Sequence, residues 1–361
     1  VAKEKAKANQ LAQTKKVVRK PKVNLKDPNM TNTMEVSKGM YKTLARDLIE
    51  HGCIVFNAVN VDGRLQKLQS EVWAAMDEFP EYKVKGKHVI RSLGGFGTTA
   101  NPSSFHHKTI RKLRKDVKNK ISKRIFKQYI NLKYPEEKRN LKLEMLFDRV
   151  CVRSEAMGNV GNESWHRDIY DGKHFKIREL PDSLPNGEQD EITGGWMNLS
   201  DTNQRFVGIL GSHIGEEARI AQKKGGGFAV LSKQQIKDSR VDERLKAQAN
   251  KQYGNVKTDS QGKVIIPPGC MMIFFQRMLH SVQGGKQPKE PNLRLFIGHR
   301  LTSESNSLFE NTNEVIENAA VPRIPSGQMP PMYSTNHYGF FSKSEKYRNW
   351  AENTFKDECL F

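Results

Sequence analysis

The chain has little cysteine. Cys53, Cys151, Cys270 and Cys359 are all it carries, far apart and without a Cys-x-x-Cys pair. That excludes a disulfide framework and the usual zinc-finger and thioredoxin-like spacings, and it fits small buried hydrophobes in a reducing compartment. Long apolar runs are missing as well. The longest, at residues 271–275, has the length of a strand and falls far short of the ~18 residues that suggest a membrane helix. Lys3, Lys5 and Lys7 lead into polar residues, so no secretory leader is expected. These readings point to an intracellular setting, cytoplasm or nucleus. The third shortage is acid: 40 Asp and Glu face 60 Lys and Arg, leaving a net charge of +20. An imbalance of that size calls for a polyanionic neighbour, either nucleic acid or an acidic protein surface.

What is there divides into four parts. Residues 1–36 read as a basic flexible arm, Lys-rich and without a hydrophobic period. Residues 37–140 read as a helical region. Apolar residues at helical spacing predict helices over 40–51, closed by Gly52, and over 62–79, with a short strand at 53–56 between them. A third helix is predicted over 108–130, where Ile110, Leu113, Val117, Ile121, Ile125 and Tyr129 share a stripe. Its other face carries Lys112, Lys115, Lys123 and further cations against the single acid Asp116. Those three lysines are the candidate polyanion contacts. Few aromatics are interleaved with them, which favours phosphate tracking or assembly contacts over base stacking.

From residue 141 the texture changes to short apolar stretches separated by Gly, Pro and Asn. Strands are predicted at 143–153, 195–199, 206–210, 227–231, 264–266, 271–275 and 293–301, the pattern of a sandwich or barrel. A charged insertion at 233–254 is expected to be helical. Residues 141–305 then form a mainly β core, and residues 306–361 an irregular C-terminal extension. No internal repeat is present.

The chemistry concentrates in that core. His166-Arg167-Asp168 follows a predicted strand, and alternate residues of an extended chain project to one side. An imidazole and a carboxylate can therefore converge on one ion. His280, just past the apolar strand 271–275, supplies a third ligand. Two histidines and a carboxylate on one face leave open positions and suit an oxygen-activating iron(II). Taken alone the His-x-Asp pair reads equally well as surface or core-satisfied polar residues. Arg294 stands fourteen residues after His280 and opens an alternating strand, where a buried guanidinium could hold a carboxylate through its planar fork. Arg300, further along the same strand face, is the reserve candidate.

Other residues read more plainly. His213 is expected in a structural turn and Trp196 in the core. His174 and the tandem His106-His107 read as loop or capping residues. Residues 94–97 form a glycine-rich loop without the Lys-Ser/Thr of a phosphate loop, and residues 225–227 a turn.

The order His166-x-Asp168, Trp196-x-Asn198-Leu199-Ser200-Asp201, Gly208-x-Leu210-Gly211-Ser212-His213, Pro268-Gly269, an apolar strand, His280 and Arg294 resembles the phytanoyl-CoA dioxygenase group of Fe(II)/2-oxoglutarate oxygenases. The resemblance covers residues 143–301. It implies a double-stranded β-helix (jelly roll), iron held by His166, Asp168 and His280, and 2-oxoglutarate held by Arg294. It further implies oxidative decarboxylation of that co-substrate by dioxygen, with hydroxylation of an organic substrate. A competing reading keeps the jelly roll as a structural component of a nucleoprotein or viral capsid assembly, with a virion as its location, because jelly rolls host both chemistry and architecture.

Overall fold

The computed structural model describes residues 38–59, 64–77, 83–84, 87–88, 108–136, 141–155, 159–160, 163–168, 191–214, 223–225, 228–283, 285–286 and 288–303. The basic arm, the C-terminal extension, His106, His107, His174 and the glycine-rich loop 94–97 lie outside them.

The helical region contains α1 (Lys38–His51), β1 (Cys53–Asn57) and α2 (Arg64–Asp77). A small hairpin follows, β2 (Lys83–Val84) with β3 (Lys87–His88), and then α3 (Lys108–Val117) and α4 (Lys123–Lys133). The predicted helix over 108–130 is thus not continuous: one π-helical turn, Lys118–Ser122, joins α3 to α4. The extra residue in that turn keeps Leu113 and Val117 on the same buried side as Ile125, Phe126 and Tyr129.

The core begins with β4 (Leu141–Arg153), β5 (Asn159–Val160), β6 (Glu163–Arg167), β7 (Glu191–Asn198), β8 (Gln204–Gly208), β9 (Lys223–Gly225) and β10 (Phe228–Val230). The charged insertion is helical only in its first part, as α5 (Lys233–Asp238) and α6 (Val241–Gln248). Arg240, in left-handed conformation at φ 48°, separates the two helices. The rest of the insertion folds into the hairpin β11 (Gln252–Tyr253) and β12 (Val256–Lys257). The core ends with β13 (Val264–Ile266), β14 (Cys270–Phe275), β15 (His280–Val282), β16 (Gly285–Lys286) and β17 (Asn292–Ser303).

Two antiparallel sheets carry the architecture. One has the order β1-β14-β7-β17-β4 and the other β13-β8-β15-β6-β10-β9. This is the expected jelly roll, with a helical layer added. Register explains why 271–275 reads as an unbroken apolar run. Met271, Ile273 and Phe275 face the N-terminal helices, while Met272 and Phe274 face the second sheet. A strand buried on both faces has no polar alternation to keep. Behind the second sheet, Ile209, Leu231 and Leu279 pack on Val241 of α6.

Glycine is required at two places. Gly52 (φ +74°) ends α1, and a Cβ there would lie 2.3 Å from Nδ1 of His213. Gly269 (φ +74°) makes the turn into β14; its N–H donates to the Asn198 carbonyl (2.8 Å) and its carbonyl accepts from Ala58 (3.0 Å). The predicted Pro-Gly turn therefore ties three segments together. Cys53 and Cys151 are buried, and burial pushes the Cys270 thiol up to about 12, so Cys270 is not primed for reaction.

On the helix side of β17, His299 is fully buried against Phe126 (ring centroids 5.3 Å). Its Nε2 has no hydrogen-bond partner among the described residues. Burial, with a smaller push from the Lys118 charge, lowers its pKa to about 3. The folded state therefore refuses a proton that the unfolded chain accepts below pH ~6.5, and stability falls as pH drops from that value toward 3. At pH 5 the loss is about 2 kcal/mol. In His299→Leu, urea midpoints should consequently decline less between pH 7 and pH 5 than in the parent. Parallel declines would show that His299 does not contribute to the acid sensitivity.

Candidate metal centre

The second sheet brings the predicted ligands together by register. His166 on β6 pairs directly with His280 on β15, which pairs in turn with Gly208 on β8. Cross-strand partners put their side chains on the same face about 5 Å apart, and the two imidazole centroids lie 4.3 Å apart. Asp168, one residue past the end of β6, returns to that face. Its Oδ1 lies 3.6 Å from Nε2 of His166 and its Oδ2 3.5 Å from Nε2 of His280. One ligand atom from each of the three residues falls within 4.8 Å of the others.

The tautomers follow from the backbone. His166 Nδ1 lies 2.7 Å from the Ser164 carbonyl, and His280 Nδ1 lies 2.9 Å from the Met278 carbonyl. A carbonyl only accepts, so each Nδ1 carries the proton and each neutral ring turns a bare Nε2 lone pair toward Asp168. Burial, reinforced by the neighbouring His280, holds His166 down to about 4 against the opposing pull of Asp168 and the Ser164 carbonyl. Two lone pairs and a carboxylate thus converge on one point. Acceptors facing acceptors repel unless a cation stands between them. Donors ~2.0–2.2 Å from a shared ion stand about 3 Å apart at right angles, close to the spacing found here.

Arg294 opens from the facing sheet into the same cavity, which measures about 320 Å³ among the described residues. It is 8% exposed. Its guanidinium carbon lies 4.6 Å from the centre of the Trp196 ring, and its Nε donates to Oε1 of Gln204. Gln204 is fixed in turn, its Nε2 donating to Asn198 Oδ1 (2.7 Å) and Ser200 Oγ (2.9 Å). Sequence reasoning read residues 196–201 as a motif and missed Gln204, which gives that motif its role: it orients Arg294. Trp196 is a core residue as expected, packed on Phe206 and Phe296, and it also forms the platform under Arg294. Arg300 follows six residues later on the same strand, ~20 Å along it. Its side chain lies outside the described residues.

The Gly211-Ser212-His213 turn holds the ligand-bearing segments from behind. Ser212 Oγ donates to the Ile209 carbonyl (2.6 Å) and accepts from the N–H of Leu279 (2.8 Å), the residue before His280. Arg167, the last residue of β6, between His166 and Asp168 and fully buried, points the other way. It donates to the carbonyls of Ser212 (2.9 Å) and Arg277. The N–H of Asp168 donates to the Gln276 carbonyl (2.9 Å). His213 is structural, as expected: its Nε2 lies 2.9 Å from the Ile49 carbonyl and its ring stacks on Phe275. Arg167 escaped the sequence reading because nothing in His-x-Asp marks its central residue.

No protein-family model matches the chain, and no curated protein matches it. Among solved structures it is similar to EctD from S. alaskensis in its apoform, at 12% identity and TM-score 0.42, covering 80% of this chain and 85% of that one. It is also similar to the non-haem alpha-ketoglutarate-dependent carbocyclase SnoK from nogalamycin biosynthesis, at 13% and 0.43, covering 74% and 85%. A third is EvdO2 from Micromonospora carbonacea var. aurantiaca complexed with 2-oxoglutarate, at 10% and 0.39, covering 72% and 90%. Similarities this distant assign no function.

Ser212→Ala strips a buried N–H of its acceptor, which costs about 1–3 kcal/mol. The same change should loosen His280 and weaken cation binding about tenfold. Urea melts and a cobalt(II) titration read both effects. Full retention of stability and affinity would show that the turn does not hold the ligands.

Proposed function

We propose that the chain is a non-haem iron(II) oxygenase that uses 2-oxoglutarate and dioxygen to hydroxylate an organic substrate. The observation that carries this reading is the acceptor-only convergence of His166, Asp168 and His280 in a cavity that Arg294 also lines. Two imidazoles and one carboxylate suit iron(II) and leave positions open for exogenous ligands. When bound, the iron supplies activation of dioxygen coupled to decarboxylation of 2-oxoglutarate to succinate and carbon dioxide.

The chain's own residues bind, orient and exclude water. Asp168 offsets one charge of the cation, and the backbone-locked histidines present their lone pairs without rearrangement. Arg294, pinned by Gln204 and Trp196, offers a planar fork to the far carboxylate of the co-substrate. Phe206, Phe274 and Phe296 line the space between them and lower its dielectric, which strengthens that contact.

His166→Ala or Asp168→Ala should lose iron and keep the far-ultraviolet spectrum of the parent, because the sheet holds these residues and not the reverse. Arg294→Gln should keep iron yet raise the 2-oxoglutarate requirement of succinate release by about 2–5 kcal/mol, at least thirtyfold. Arg300→Gln serves as the control. The opposite pattern for the two arginines would misplace the clamp. Iron without succinate release would favour a metal protein that uses no 2-oxoglutarate, or the architectural role.

A second partner is proposed for the basic surface. Lys112, Lys123 and Lys127 are exposed on α3 and α4, opposite their buried stripe; the side chain of Lys115 lies outside the described residues. These cations suit a polyanion, nucleic acid or an acidic protein surface. Neutralising Lys112, Lys115 and Lys123 should flatten the salt dependence of duplex DNA binding, by ~0.9 in logarithmic slope per lost phosphate contact. An unchanged slope would remove nucleic acid from the partners. Among the described residues no helix is long and apolar enough to cross a membrane.

A further inference from the structure

The cavity contains a second buried cation that iron and 2-oxoglutarate leave unused. Arg153 ends β4 with its side chain 7% exposed and lining the same space as the triad. Register places it beside Arg294: Asn292 pairs with Arg153 and Arg294 with Cys151, so the two arginines are diagonal neighbours on one face. Arg294 has Gln204 and Trp196 to hold it. Arg153 has no such support. Its Nε is buried without a hydrogen bond, and no described side chain forms an ion pair with it.

A lone guanidinium withdrawn from water is costly unless an anion meets it. Asp168 is the one acid lining the cavity among the described residues. On the reading proposed above, its charge is already committed. The charges of iron(II), Asp168, the 2-oxoglutarate dianion and Arg294 cancel, and the two histidines are neutral. Arg153 is then the buried cation of the loaded site that no described group offsets; Lys263 also lines the cavity but is only half-buried. Arg205 also lines the cavity, but it is paired with Asp259 at 2.8 Å.

We propose that Arg153 is the recognition point for the substrate to be oxidised, and that this substrate is a small organic acid whose carboxylate docks on the Arg153 fork beside the metal. The inference rests on the oxygenase reading for its charge balance. The geometry of Arg153 is independent of it. A guanidinium accepts a carboxylate through two parallel N–H···O bonds, which fixes orientation as well as position. Holding one end of the substrate in this way would present a particular C–H bond to the iron-bearing face.

Two measurements test this on the full chain. The first needs no ligand: replacing an unpaired buried charge with a neutral side chain should stabilise the free protein, so Arg153→Met should raise Tm by a few degrees. A fall in Tm would mean that a group of the chain itself compensates Arg153, and would overturn the proposal. The second uses anaerobic protein loaded with iron(II) and 2-oxoglutarate and titrated with small monocarboxylates, each paired with its neutral amide. At least one acid should bind tenfold or more tightly than its amide. Arg153→Gln should abolish that preference and leave 2-oxoglutarate binding within about twofold, while Arg153→Lys, which keeps the charge without the fork, should retain part of it. No preference for an acid anywhere in the panel overturns the proposal. So does a rise in the 2-oxoglutarate requirement in Arg153→Gln, which would make Arg153 a second arm of the co-substrate clamp. Failure of the oxygenase reading looks different: iron and 2-oxoglutarate would not bind, whatever the response to Arg153.

Discussion

The site depends on one cross-strand pair. His166 and His280 come from segments more than a hundred residues apart, and antiparallel register alone sets them opposite each other on one face. Side chains in a sheet alternate, so a slip of one residue would turn one imidazole to the far side and dissolve the site. Everything behind the second sheet resists that slip. Ser212 clasps the amide of Leu279, and Arg167 grips the carbonyls of Ser212 and Arg277. The register that builds the site is therefore held by polar contacts on the face that the site does not use.

The facing sheet works by the same division. Its outer surface is apolar and packs on the N-terminal helices through Met271, Ile273, Leu295 and Ile297. Its inner surface presents Asn198, Arg153 and Arg294 toward the cavity side. Buried polar groups of this kind are tolerable only when satisfied. Asn198, Ser200 and Gln204 satisfy one another and finish on Arg294. Arg153 differs: its Nε is buried without a hydrogen bond and no described side chain pairs its charge, which is the ground for the ligand proposed for it.

Much of this was legible in the chain. The convergence of His166, Asp168 and His280, with the arginine at 294 lining the same cavity, was readable because each stands at a fixed place beside an apolar strand or a turn, and the strand at 271–275 announced itself by its composition. Strand β6, Glu-Ser-Trp-His-Arg, and the three-residue β15 were harder to see. His166 and His280 are polar because they line the cavity, and Arg167 because it binds carbonyls behind the sheet, so neither strand shows the apolar alternation by which strands are recognised. Gln204 and Arg153 gave no signal for a related reason: a single polar residue on a strand reads as surface until the opposite sheet is placed over it. The π-turn at Lys118–Ser122 was invisible because one inserted residue barely disturbs a helical stripe. The helical reading of 233–254 failed beyond Gln248, where Asn250 and Gly254 take positive φ and turn the chain into a hairpin.

The central claim is that three acceptors and one guanidinium form a single site for a metal and a dicarboxylate. The most direct test is anaerobic equilibrium binding of 2-oxoglutarate to the intact chain, with and without iron(II). The account predicts one iron per chain and a co-substrate affinity at least ~10-fold higher in its presence, with the same factor returned in the affinity for iron, since coupling between two ligands is reciprocal. Binding of 2-oxoglutarate that is indifferent to iron, or no iron binding at all, would contradict it.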